Sequence, residues 1–170
     1  RQRIHKYYYD KIVEGELEYV LDNYRETIDF VIPIWAKSIN YLADHTFEKV
    51  LIPTKETIDL CLNKRATVDF AMKLNIPVPR TWTVKEASHL STLDIRYPCV
   101  VKSESELCKV DVRYPSSPEK LIKTIQNSGV DCVVQDYISG VGMGFFAFYI
   151  NGVLKRFYIH QRLREYPLTG

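Results

Sequence analysis

The sequence predicts a mixed α/β (α+β) chain in two parts, and three observations carry that reading. Between residues 12 and 76, stretches with helical spacing alternate with short apolar runs stopped by proline, the pattern of a parallel α/β layer. After residue 80, short strand-like runs dominate, with helical stretches between them. Near the end, Asn151-Gly152 joins two aromatic runs, and both central residues of a type I′ hairpin turn need positive φ. The change of character places a boundary near residues 75–80, dividing the chain into 1–76 and 77–170.

Taken in order, residues 12–26 place Val13, Leu17, Val20, Leu21 and Tyr24 at helical spacing. Ile28–Ile32 is apolar apart from Asp29 and stops at Pro33, which predicts a short, mostly buried strand. Ser38–His45 reads as a helix, and Val50–Ile52 as a second buried strand stopped by Pro53. Thr54 can cap the next helix, although Thr57 stands where a complete capping box has Glu or Gln. A helix from Asn63 to Leu74 follows, its stripe formed by Val68, Ala71, Met72 and Leu74. Asn75-Ile76-Pro77-Val78-Pro79 ends it, because a residue before proline is pushed toward extended backbone.

Beyond the boundary, strands are predicted at Thr81–Val84, Pro98–Lys102, Val110–Tyr114 and Cys132–Ile138. Helices are predicted at Lys85–Leu90 and Pro118–Ser128, and the hairpin pairs Phe145–Ile150 with Val153–Ile159. Gly140-Val141-Gly142-Met143-Gly144 does not suit a phosphate loop, since an aromatic strand follows it where a helix should begin. These glycines read as a tight, flexible turn.

Composition narrows the function classes. The 170 residues, 46% hydrophobic and 26% charged, are globular in character, which excludes disordered and collagen-like chains. No stretch holds the ~18 consecutive apolar residues of a membrane span, so no membrane role is expected. A net charge of +2 gives no broad basic footprint for nucleic acid, and Arg1–Tyr9 is the lone basic-aromatic cluster. Cys61, Cys99, Cys108 and Cys132 form no CxxC pair, which disfavours zinc and disulfide frameworks and suits a reducing cytoplasm. The chain lacks an initiator Met and ends on Pro167-Leu168-Thr169-Gly170, so it is expected to be cut at both ends.

Four stretches carry most of the chemistry. Lys64 opens a helix, where its charge lies near amides that themselves attract anions. Lys102 ends an apolar strand, so its compact ammonium emerges at a sheet edge. Two separated lysines converging on a triphosphate would neutralise it, while solvated surface positions suit the same residue type. Val133–Gly140 offers apolar walls and backbone groups, which is what a purine ring needs, or equally a buried strand whose aromatic packs in the core. Arg162, Arg164 and Glu165 lie past the hairpin, where arginine suits planar recognition of phosphate or carboxylate and a solvated strand end is the plain alternative. His160 in the same segment fits a structural role better than a catalytic one.

In this order the four stretches resemble the ATP-grasp superfamily, closest to its carbamoyl-phosphate-synthase-like and carboxylate–amine ligase members. Asn63–Pro79 is similar to the family's opening helix and its Pro-Val-Pro exit, and Tyr97–Lys102 to its lysine-bearing strand. Val133–Gly140 resembles the hinge that reads adenine, and His160–Pro167 resembles a block of the ligase-like branch. The resemblance implies the end of a Rossmann-like pre-ATP-grasp domain followed by the first part of an ATP-grasp domain. It implies ATP as cofactor, held by Lys64 and Lys102 at the phosphates and by Gln135, Asp136, Tyr137 and Ile138 at the adenine. Arg162 and Arg164 would serve the reacting end as catalytic residues. The implied reaction phosphorylates a small carboxylate substrate and lets an amine displace the phosphate, with Mg2+ ligands expected beyond Gly170.

Two departures from the family pattern stand out. Ser103–Lys109 has no glycine and two glutamates where the family has a glycine-rich phosphate loop, so the loop is degenerate or incomplete. Val141 and Gly142 stand where an acidic residue usually holds the ribose. These departures keep open a catalytically inactive nucleotide-binding module, and the twelve tyrosines keep open a partner-binding module.

Overall fold

The computed structural model describes residues 15–45, 47–84, 94–108 and 111–163. The chain divides into two compact units, Arg1–Asp59 and Leu60–Gly170. The predicted helix at Lys85–Leu90 and the Arg1–Tyr9 cluster lie outside the described residues.

In the first unit, α1 (Leu17–Tyr24) continues into a 3-10 turn at Arg25–Thr27, and α2 spans Ala36–Asp44. Leu21, Leu42 and Phe47 form its core, with Leu17, Ile28, Val31, Tyr41, Val50 and Ile52 packed around them. The predicted strands Ile28–Ile32 and Val50–Ile52 reduce to one parallel bridge, Val31 to Val50, supported by Val31 N–H donating to the Lys49 carbonyl at 2.8 Å. The parallel sense follows the helix–strand alternation, but the burial does not. Phe30, Ile32 and Leu51 are exposed, because backbone alternation turns them away from the face that holds Val31. Pro33 and Pro53 then end both segments.

α3 (Lys55–Leu62) and α4 (Lys64–Lys73) follow almost without a break. Asn63 separates them by capping α4, its side-chain oxygen accepting from the Ala66 N–H at 2.8 Å. Leu74 closes α4, and Asn75 takes φ 57°, one of the few left-handed positions asparagine tolerates. Pro77 and Pro79 keep the exit extended.

The second unit centres on an antiparallel sheet in the order β1-β3-β2, with β1 at Thr81–Thr83, β2 at Cys99–Ser103 and β3 at Cys132–Asp136. Register pairs Lys102 with Val133, Val100 with Gln135 and Cys99 with Asp136. Cys99, Val101, Cys132 and Val134 share one face and pack with Leu121 of α5 (Pro118–Gln126). Ser117 caps α5 by accepting from the Lys120 N–H at 3.4 Å, and Pro118 sits at its first position. Leu121 has no exposed surface, and burying such a side chain contributes roughly 1.5–3 kcal/mol. The expected strand at Val110–Tyr114 is present, within the described residues, as one bridge. Val101 and Arg113 exchange backbone bonds at 2.9 and 3.0 Å. The Pro115 carbonyl accepts from the Cys99 N–H at 3.0 Å, but Pro115, lacking an N–H, cannot return a bond and complete a second bridge.

β4 (Met143–Ile150) and β5 (Val153–Gln161) form a separate two-stranded sheet. Asn151 (φ 49°) and Gly152 (φ 75°) make the predicted I′ turn. Among the described residues, no helix is long and apolar enough to cross a membrane.

All four cysteines are free, with Cys99 and Cys132 buried and Cys61 and Cys108 exposed. Burial pushes the Cys99 thiol up to about 11, far from the reactive thiolate form at neutral pH. A thiol reagent at neutral pH is therefore expected to label Cys61 and Cys108 in the native protein. Cys99 and Cys132 should react only after denaturant is added, and native labelling of all four would disprove the described core.

Candidate functional site

Strand alternation decides which side chains leave the core. With Cys99, Val101 and Ser103 turned toward α5, Val100 and Lys102 point from the opposite face of β2. On that face of β3, Gln135 is buried and its side-chain amide donates to the Thr81 hydroxyl at 2.8 Å. The Arg65 guanidinium on α4 donates to the Thr81 carbonyl at 3.0 Å, tying the helix to β1.

Lys64 reaches the same neighbourhood by a different route. Residues 104–106 lie antiparallel to residues 62–64, with a bridge between Asn63 and Ser105. Lys64 N–H donates to the Glu104 carbonyl at 2.9 Å, and Glu106 N–H donates to the Leu62 carbonyl at 2.8 Å. The Asn63 side-chain amide adds a bond to Glu104 Oε1 at 3.0 Å. This clasp joins the start of α4 to the segment that follows β2, and it brings the two lysines together.

The electrostatics confirm that proximity. Burial pushes the Lys102 ammonium below its ordinary 10.5, the charge of Lys64 pushes it the same way, and Glu106 pulls it back. The Lys64 ammonium, itself largely shielded from solvent, forms an ion pair with Glu106 Oε1 at 3.0 Å. One ammonium thus holds the carboxylate, and the charge of the other feels both. That carboxylate oxygen is a stand-in for an anionic ligand atom, so the donor set fits a phosphate.

The hinge residues divide by position. Asp136 ends β3, and its carboxylate is held by Arg80 at 2.6 and 3.3 Å, while its N–H donates to the Arg80 carbonyl at 3.0 Å. Arg80 also bonds Asp94 at 3.0 Å and lies over the Trp82 ring. The Asp136 side chain is therefore committed to structure. Tyr137 and Ile138, the next residues, are exposed, and the Tyr137 ring meets Tyr114 edge-on. Neither Arg80 nor the pairing role of Glu106 was expected from sequence. Arg80 lies 56 positions from Asp136, and the two loop glutamates signalled only repulsion of phosphate.

Arg162 follows β5 on the other sheet, its N–H donating to the Gly142 carbonyl at 2.8 Å. Arg164 and Glu165 lie outside the described residues. The glycine run is not simply a turn. β4 already begins at Met143, and Gly144 pairs with His160 across the ladder. A Cβ at Gly144 would overlap the His160 ring, which stacks on Phe146 with centroids 4.9 Å apart. The structural place of His160 matches its expected role as a packing residue.

Among the described residues, no group of three or more carboxylates, histidines or cysteines is placed to hold a metal ion. The Glu106 carboxylate is already paired with Lys64, so these residues do not by themselves fit Mg2+.

No protein-family model matches the chain, and no curated protein matches it in sequence. Solved structures do match in fold. The D-alanine–D-alanine ligase of Helicobacter pylori has a TM-score of 0.59 at 19% identity, over 74% of this chain and 40% of that one. The D-alanine–D-alanine ligase of Bacillus anthracis has a TM-score of 0.59 at 16% identity, over 91% of this chain and 60% of that one. The L-amino acid ligase of Bacillus licheniformis has a TM-score of 0.60 at 16% identity, over 85% of this chain and 34% of that one. The chain thus shares its fold with parts of these ligase structures. The chain spans 34% to 60% of the length of these structures.

The lowered Lys102 value gives a stability test with a definite sign. The unfolded chain keeps the Lys102 proton up to the ordinary value, whereas the native chain loses it earlier. In the window between the two values the unfolded state binds more protons, so this residue makes stability rise with pH. At neutral pH its charged, buried form is a cost. Lys102→Met is expected to raise stability at pH 7 and to flatten that rise, measured by urea unfolding at several pH values. A less stable variant with an unchanged pH slope would contradict the burial of the ammonium.

Proposed function

We propose that this chain carries the nucleotide-binding part of an ATP-dependent ligase, one that joins a carboxylate to an amine or similar nucleophile through an acylphosphate. The observation that carries this reading is the Lys64 ammonium, ion-paired to Glu106 and close enough to Lys102 to depress its proton affinity, within a fold shared with amino acid ligases. One such neighbour, the Bacillus anthracis D-alanine–D-alanine ligase, is described as complexed with ATP (TM-score 0.57, 14% identity, over 85% of this chain and 57% of that one).

In this reading Lys64 and Lys102 hold phosphate oxygens, where ammonium groups offset charge that water would otherwise solvate. Adenine lies against Tyr137 and Ile138, read by the backbone of Asp136 and its neighbours, while Arg80 keeps that strand end in place. Gln135 contributes by fixing β3 to β1. Arg162 and Arg164 serve the reacting end. ATP supplies the phosphoryl group, and Mg2+ enters as the counter-ion of the nucleotide itself. Residues 77–170 form the nucleotide-binding part together with Lys64 of the linking helix, and residues 1–76 comprise the preceding α/β domain and its linking helices. The branch is the carboxylate–amine, carbamoyl-phosphate-synthase-like one. The four free thiols favour a reducing cytoplasm.

A second reading is favoured by the Glu106 ion pair: a module that binds nucleotide without catalysis, its phosphate anchor already partly neutralised from within. Both readings require adenine nucleotide to bind. Calorimetric titration of ATP with Mg2+ is expected to show saturable binding that Lys64→Met and Lys102→Met each weaken by about tenfold, the worth of one charge-assisted hydrogen bond. Binding indifferent to both substitutions would remove the phosphates from this site. Release of phosphate from ATP in the presence of amino acids, abolished by Lys102→Met, separates the ligase from the silent module.

A further inference from the structure

The segment after β2 reaches its shape by an unusual means. In many phosphate loops glycine supplies left-handed backbone and open amides. Here the described part of the loop has no positive-φ residue, and side chains and a short ladder set its course. Glu104 N–H donates to the Asp131 carbonyl at 2.9 Å, and Ser105 Oγ accepts from the Leu107 N–H at 3.1 Å. Together with the bonds to Leu62, Asn63 and Lys64, these fix the backbone on both sides of Glu106. A loop so pinned does not close over a ligand by moving its main chain.

The Glu106 side chain is different. It is about half exposed, at 51%, and its carboxylate is held by the Lys64 ammonium at 3.0 Å. Exposed pairs of this kind contribute only ~0–1 kcal/mol, so rotation of the side chain into solvent is cheap. While it stays in place, the negative charge of Glu106 offsets one of the two positive charges of Lys64 and Lys102, and the anchor has less charge to offer. A second anion meets the lysines only after Glu106 has left, or else meets its repulsion at close range.

We propose that Glu106 is a tethered anion that occupies the phosphate anchor of Lys64 and Lys102 and sets how strongly the site discriminates among nucleotides by phosphate charge. This rests on the reading of those lysines as phosphate ligands. Displacement works by exchange: the Lys64 ammonium stops donating to a carboxylate oxygen and donates to a phosphoryl oxygen instead, with no covalent bond made or broken and no proton moved. The more phosphate groups a nucleotide carries, the more it loses to Glu106.

Glu106→Gln keeps the length of the side chain and removes the charge. Titrations of ATP, ADP and adenosine into the full chain are compared with the same titrations into Glu106→Gln and Lys64→Met. Glu106→Gln is expected to tighten ATP by about fivefold, ADP by less, and adenosine not at all. An unaltered thermal melt shows that the variant is folded. If Glu106→Gln leaves ATP affinity unchanged or weaker while Lys64→Met weakens it, the tethered anion is overturned and the nucleotide reading survives. Equal tightening of adenosine and ATP also overturns it, since the effect would then not depend on phosphate charge. ATP binding indifferent to Lys64→Met, or absent from every protein, overturns the phosphate anchor and this proposal together.

Discussion

The site in the second unit depends on one short backbone clasp, residues 62–64 against 104–106. The bonds between Leu62 and Glu106 and between Lys64 and Glu104 join the start of α4 directly to the segment after β2, whereas Arg65 ties the helix only to β1. They give both candidate phosphate lysines their shared neighbourhood. The clasp also explains why Asn63 serves two masters. Its side-chain oxygen caps α4 while its amide nitrogen holds the Glu104 carboxylate, so one residue ends the helix and anchors the loop. A cap of this kind contributes about 1 kcal/mol on its own. Here it also orients the first residue of the helix, which is Lys64.

Legibility in the sequence followed the range of the forces involved. The I′ turn at Asn151-Gly152 was readable because its determinant is two adjacent residues and their φ angles. α5 falls within the helix expected at Pro118–Ser128, and the Ser117 cap and Pro118 that start it are equally local. Cys132–Val134 declared themselves as an apolar run, and the structure makes β3 the central strand, covered on both faces. Lys64 and Lys102 were singled out singly, and alternation along β2 places Lys102 opposite the core.

What stayed hidden was tertiary. Arg80 has no local pattern that marks it, since its carboxylate partners sit at Asp94 and Asp136 in other segments. The Glu106 pair with Lys64 spans the fold, so the sequence shows a repulsive carboxylate where the structure shows a neutralising one. The run Ile28–Ile32 shows the opposite failure. Its composition suits a fully buried strand, yet one residue pairs and its neighbours face out, because a single parallel bridge covers a single face. Gly144 was misread for a related reason: its determinant is the His160 ring on the opposite strand, which no local pattern reveals.

The two sheets of this chain also treat apolar residues in opposite ways, which bears on how a nucleotide would be held. β3 buries every side chain from Cys132 to Gln135, so the platform beside the lysines is stiff and its polar groups are committed. β4 and β5 leave Phe145, Phe146, Phe148, Phe157 and Tyr158 exposed, with stability drawn from cross-strand pairs such as Phe145 with Phe157, 5.8 Å apart. A hairpin of that kind is marginal alone. The rigid sheet therefore carries the positional accuracy, and charge, more than loop motion, is left to regulate access. With the loop backbone pinned and Glu106 half exposed, the proposed phosphate affinity would be governed by a single rotamer and two ammonium groups.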